Sequence, residues 1–429
     1  MKKIFALFLA CALLFLTACN ITPSNGTTAP SGTPGGTEDS NPAEWWEGLQ
    51  DQLVMGQHGT FMELPSRIVF EAEIDHEDMV FYYSKADGKA YVYCFDPLCD
   101  HTDYTCLGNP ASNHSGWWYY SSTFFINDRF YSANRHGQIY SFAFDGSDKK
   151  LEYDAGYEIE EYAGMIRNDD YWGGIVNFGP YLYIESYDEE NAGCRLRFNV
   201  ETKVMDKVEF EIAPRFFYNG MFYGVGLGKA TLETFYKGDM NFKEVELLGT
   251  SVSMKSYSGD SAPGHIILQS VSNERHEPTD PVEILGTSIY NLKTEERTFF
   301  SNEDLGLEGN PAFICATDQY FYFYESKKVA LGTVVVETGS GPFEKTSYKS
   351  NPGKLYRMDL DGSNIVCVYD NPEYELGRNA IICGDRILMM GKYMCIEDKK
   401  TKSWGGILQA ATINPDGTIG EFEEVEIVA

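Results

Sequence analysis

Basic side chains are scarce in this chain. Its 34 Lys and Arg stand against 64 Asp and Glu, a formal net charge of −30. Phosphate backbones are held by clustered Lys and Arg, so the composition argues against a nucleic-acid partner. The acidity reads instead as solubility and self-repulsion on an exposed protein. The seven His are scattered. There is no Gly-x-Ser-x-Gly, no His-Glu-x-x-His and no glycine-rich phosphate loop, so the usual signatures of nucleophilic, metallopeptidase and nucleotide chemistry are missing. Ser261, within Gly259 to Gly264, has Pro263 where the second flanking glycine of a nucleophile elbow belongs. Helical periodicity is almost absent as well. That argues against the alternating strands and helices of a solute-binding fold.

Aromatic side chains, by contrast, are abundant, with 29 Tyr and 27 Phe, which suits strands better than helices. The stretch Gly353 to Val368 sets the pattern. Leu355, Arg357 and Asp359 alternate with Tyr356, Met358 and Leu360, then Asp361-Gly362 turns the chain and Ile365 to Val368 restarts it. Ile139 to Ser147 repeats this unit closely, and Tyr82 to Gly88 and Ala411 to Gly417 repeat it loosely. A second unit, a hairpin between aromatic runs, recurs at Phe124 to Tyr131, Tyr218 to Tyr223 and Ile381 to Leu388. The two units alternate along the chain, and four antiparallel strands per period predict a β-propeller. We expect about seven four-stranded blades over 60–429, with six as the alternative count. The form Leu-Tyr-x-x-x-Leu-Asp-Gly-Ser at Leu355 to Ser363 resembles the blades of YWTD- and TolB-like propellers.

The N-terminus carries an address. Lys2-Lys3 precedes an apolar run from Ile4 to Leu16, which ends in Leu16-Thr17-Ala18-Cys19. This resembles the lipobox of a bacterial lipoprotein signal peptide. The resemblance implies removal of residues 1–18, a lipid on Cys19 and an anchor in the bilayer at the extracytoplasmic face. Residues 19–40 are rich in Ser, Thr, Gly and Pro and read as a disordered tether. An amphipathic helix is predicted over 41–57. Asn41 caps it, Pro42 opens it, and Trp45, Trp46, Leu49, Leu53 and Val54 form its apolar stripe.

One cluster of ligand-type side chains stands out. Cys94, Cys99, His101 and Cys106 lie within thirteen residues. A structural disulfide among the cysteines is expected, and a structural zinc site is the alternative. The stretch resembles a Cys-x-x-Pro-x-Cys-x-His segment of propeller lipoproteins from Gram-positive bacteria, with Cys94, Pro97, Cys99 and His101 at matching places. The remaining cysteines of the mature chain read as small core residues inside strands. Asn414, Asp416-Gly417 and Glu423 mimic half of a calcium loop, but Thr412 stands where its first Asp belongs, so we read a hairpin turn and no calcium site. Trp117, Trp118, Trp172 and Trp404 are candidate stacking residues for a sugar ring. No catalytic residue can be named. The expected function is a binding or scaffold module for a protein, peptide or glycan. A carbohydrate-active or other hydrolytic enzyme using acidic residues at the propeller channel is the alternative.

Overall fold

In the computed structural model the described residues are Val54–Met55 and, apart from stretches within the connections, 61–428. Residues 1–53 lie outside that description, and so do Cys19, the tether and most of the expected helix. The described chain is all-β. Seven consecutive antiparallel sheets follow one another, and blades 1 to 7 span 61–92, 123–154, 171–208, 212–249, 252–301, 310–375 and 380–424. In each blade the strands pair in chain order, from an inner strand to an outer one. The six-bladed alternative is therefore excluded. Blade 1 opens at Phe61. Its inner strand is Phe61–Glu63, three residues long, too short to show an alternation.

The strands pack as the period-two pattern dictates. Within one strand, neighbouring side chains enter different cores. In the inner strand of blade 4, Phe217 packs with Val176 and Phe178 of blade 3, while Phe216 and Tyr218 pack with Ile266 and Leu268 of blade 5. In the second strand of blade 6, Phe321 and Phe323 join Ile267 and Ile289 of blade 5, while Tyr322 and Tyr324 join Ile387 and Met389 of blade 7. A blade thus has two buried faces, which is why its strands are aromatic or aliphatic on both sides. The seventh seam unites blade 7 with blade 1. There Leu388, Leu408 and Ala410 meet Phe70, Phe81 and Tyr83. The last strand, Ile427–Val428, crosses the same seam and pairs in parallel with Ala90 and Tyr91 of the outer strand of blade 1. Lys89 and Glu426 form an ion pair beside it at 2.8 Å.

The Asp-Gly units are turns between third and outer strands. Asp361 Oδ1 accepts the Ser363 N–H at 2.8 Å, and Asp416 Oδ1 accepts the Thr418 N–H at 3.0 Å. Asp145 does the same for Ser147 at 3.0 Å. Gly146, Gly362 and Gly417 hold φ of 77°, 86° and 78°, a region that glycine enters without a steric penalty. The tight hairpins use Asn127-Asp128 and Asn219-Gly220, with φ positive at both positions as a type I′ turn requires.

Two expectations are corrected. Val54 and Met55 are not helical. They form a short strand on the inner edge of blade 4, with Val54 opposite Phe217 and Met55 opposite Phe216. An innermost strand presents a row of unpaired backbone groups, and a single helix turn has little to set against that ladder. Cys367 is also not a core residue. It is exposed, whereas Cys315 is buried and burial pushes its thiol pKa well up.

Gly362 gives a direct check on the turn. A Cβ there falls 2.1 Å from the Phe300 ring of blade 5, on a backbone already at φ +86°. We expect Gly362→Ala to lower stability by about 2 kcal/mol or more, read by urea unfolding.

Candidate functional site

The two faces of the ring are unlike. In an antiparallel four-stranded blade, the first-to-second and third-to-fourth connections leave on one face. The second-to-third connections and the crossings to the next blade leave on the other. The first face carries mostly turns, several only two residues long, such as Asn127-Asp128 and Gly179-Pro180, with longer connections at 254–264 and 413–422. The second face carries the long connections. Blade 6 inserts a hairpin there, Val329–Val336 with Phe343–Lys349, and blade 7 inserts another, Lys392–Glu397 with Lys400–Trp404. The crossing from blade 2 to blade 3 contains a third hairpin, Glu160–Tyr162 with Met165–Arg167. The crossing from blade 1 to blade 2 runs from Val92 to Thr123 and holds the cysteine cluster.

The two inserted hairpins lean on each other. The Val335 N–H donates to the Lys399 carbonyl at 2.9 Å, and a Cβ on Gly332 would lie 3.1 Å from Ile396. Their roots are polar and buried. Lys349, at the end of the first hairpin, is 2% exposed, and its Nζ donates to the carbonyls of Pro372 and Tyr374. Burial holds its pKa below the ordinary lysine value. Tyr374 donates its hydroxyl to Gln409 Oε1 of blade 7, and its backbone lies opposite Tyr393 of the second hairpin. This lysine, tyrosine and glutamine set ties both hairpins to the seam between blades 6 and 7. Nothing in the sequence pattern announces it, because the three residues come from separate strands.

The cysteine cluster starts where the outer strand of blade 1 ends. Tyr93 is fully buried and Phe95 half exposed, and both pack with Phe144 of blade 2, at ring separations of 5.1 and 5.3 Å. That aromatic set holds the backbone on both sides of Cys94. Asp96 then reverses the chain. Its Oδ1 accepts the Leu98 N–H at 2.9 Å and its carbonyl accepts the Cys99 N–H at 3.2 Å. Cys106 returns to the same place and is buried. The three sulfurs all lie within 4.8 Å of one another. Cys94, Cys99 and Cys106 are thiols in this arrangement, and burial pushes the Cys94 thiol pKa up. His101, the fourth member expected from the sequence, lies outside the described residues.

The tryptophans are spread out. Trp172 stands near the start of the inner strand of blade 3, opposite Ser186, and Trp404 ends the inserted hairpin of blade 7, opposite Tyr393. Both backbone positions are on the loop-bearing side, in different sheets. Trp117 and Trp118 lie outside the described residues.

No family model and no curated protein matches this chain. Among solved structures it is similar to a puromycin hydrolase, at 9% identity and a TM-score of 0.46 over 87% of this chain and 53% of that one. An oligogalacturonate lyase from Vibrio parahaemolyticus aligns at 8% identity and a TM-score of 0.43, over 86% of this chain and 93% of the lyase. A putative TolB from Agrobacterium tumefaciens aligns at 12% identity and a TM-score of 0.32, over 68% and 89%. The chain spans about half the length of the hydrolase. At these identities and scores no activity is assigned to this chain.

The buried root of the hairpins can be tested by Lys349→Met. The substitution keeps the aliphatic stem and removes the donor to two carbonyls. We expect a loss of about 1–3 kcal/mol and faster amide hydrogen exchange in both inserted hairpins, read by mass spectrometry, with the blade 2 to blade 3 seam unchanged.

Proposed function

We propose that this protein is a lipid-anchored, extracytoplasmic β-propeller that works as a binding module through its loop-bearing face. The observation that carries the reading is the asymmetry of the ring. The hairpins at 329–349 and 392–404 and the thiol cluster all leave on one side, while most connections on the other side are short turns, 254–264 of blade 5 and 413–422 of blade 7 being longer. Connections tolerate insertion where a rigid scaffold holds their ends, and that is where recognition is usually built. Lys349 and Tyr374 give the inserted hairpins fixed roots, so they can present a preorganised surface to a protein, peptide or glycan.

The second reading is an enzyme on the same frame, and one observation favours it. Connections that start and end on this face are rich in carboxylates. Asp188, Glu189 and Glu190 join the second and third strands of blade 3, and Glu274, Glu277, Asp280 and Glu283 those of blade 5. Paired carboxylates supply general acid and base chemistry without a nucleophile motif. Enzymes also stand among the solved structures of like fold, and propellers host catalysis and binding alike.

A panel of oligosaccharides, including oligogalacturonates, and of peptides separates the two readings. The binding reading expects saturable binding, read by calorimetry, with every compound recovered intact. Turnover abolished by a single carboxylate substitution in one of these connections selects the enzyme.

The anchor rests on Leu16-Thr17-Ala18-Cys19. We expect the chain, expressed in a bacterium, to partition into detergent and to incorporate labelled palmitate. Cys19→Ala should abolish both. Label retained in that variant would remove the anchor from the proposal.

A further inference from the structure

The crossing between blades 1 and 2 is longer than any other connection between consecutive blades, reaching from Val92 to Thr123. A metal clip that closes part of such a connection removes loop-closure entropy from the unfolded chain. The three sulfurs of Cys94, Cys99 and Cys106 converge at its start, two on the turn shaped by Asp96 and one arriving from further along. Their mutual spacing is a decisive feature. A disulfide joins two sulfurs at about 2.05 Å and leaves the third thiol over. Tetrahedral zinc, with Zn–S bonds of about 2.3 Å, sets its sulfurs about 3.8 Å apart. Three sulfurs within 4.8 Å of one another are compatible with the second arrangement.

The surroundings suit an ion as well. Tyr93 and Phe95 pack into an aromatic cluster with Tyr82 and Phe144, so the first ligand sits on a rigid support. Cys106 is 5% exposed, and Cys94 and Cys99 are half-buried. Soft thiolates in such an enclosure select zinc over calcium or magnesium.

We propose that Cys94, Cys99 and Cys106 bind a zinc ion that fastens the crossing between blades 1 and 2 to the loop-bearing face. Each thiol gives its proton to solvent as its sulfur ligates, with no change of oxidation state, and a further donor or water completes the tetrahedron. The role is structural and is independent of whether the face binds or catalyses.

The test uses the full chain, purified, reduced with a phosphine and offered zinc or cobalt. We expect about one zinc per chain by elemental analysis, and cobalt should give thiolate-to-metal charge-transfer absorption. Alkylation of the three cysteines should be slow until a chelator is added. Cys99→Ser should lower zinc affinity at least about tenfold. The cobalt spectrum of the unaltered chain decides the matter even where the variant folds poorly. A reduced chain that takes up neither metal overturns the proposal, whether or not two of the three cysteines form a disulfide in the untreated protein. Full zinc retention by a folded Cys99→Ser overturns it too.

Discussion

The seam between blades 7 and 1 is the contact on which the rest of this molecule depends. Every blade buries two faces, so none can satisfy its apolar surface alone, and a chain of seven blades left open would expose one such face at each end. Phe70, Phe81 and Tyr83 on one side and Leu388, Leu408 and Ala410 on the other remove that cost. Pairing of Ile427 and Val428 with Ala90 and Tyr91 adds a backbone link across the same join. Its placement at the outer edge is informative. The last strand leaves the inner edges of the blades untouched, and the inner edge of blade 4 is occupied by Val54 and Met55.

Rigidity at the seams and variety at one face belong together. A ring whose strands are packed on both sides tolerates little change within the blades, because each side chain answers to a neighbouring blade. The connections carry no such duty. Blades 6 and 7 illustrate this, since their inserted hairpins contact each other while the strands beneath keep the four-stranded order. The burial of Lys349 at the root of one hairpin shows what an insertion requires. The carbonyls of Pro372 and Tyr374 in the outer strand of the blade beneath need donors, and a lysine from the hairpin itself supplies them.

Much of the architecture was legible because its physics is local. Alternation in Phe124 to Tyr131 and the Asp-Gly turns at 145, 361 and 416 depend on a few adjacent residues, and they stand where the pattern puts them. The blade count followed from their recurrence. What depends on distant partners was not legible. Nothing local distinguishes an inserted hairpin, such as Val329–Val336 with Phe343–Lys349, from one in a blade. Val54 sits in the apolar stripe of the expected helix, yet it and Met55 are claimed by a strand more than 150 residues further on, at Phe217 and Phe216. The candidate site divides the same way. Cys94, Cys99 and Cys106 were conspicuous by type and spacing, but their mutual approach depends on the turn at Asp96 and the aromatic support beneath. The linkage of Lys349, Tyr374 and Gln409 left no trace in the sequence.

The pairings at the two ends of the described chain also bear on assembly. Val54 must wait for Phe217 to be made, and Ala90 must wait for Ile427. During synthesis, blade 1 therefore stands with an unpaired outer edge and one uncovered apolar face until nearly the whole chain has emerged. Such long loop closures are slow, and an open strand edge in the interval invites pairing with another chain. The growing polypeptide thus has a vulnerable period set by its topology, which ends when its last strand arrives.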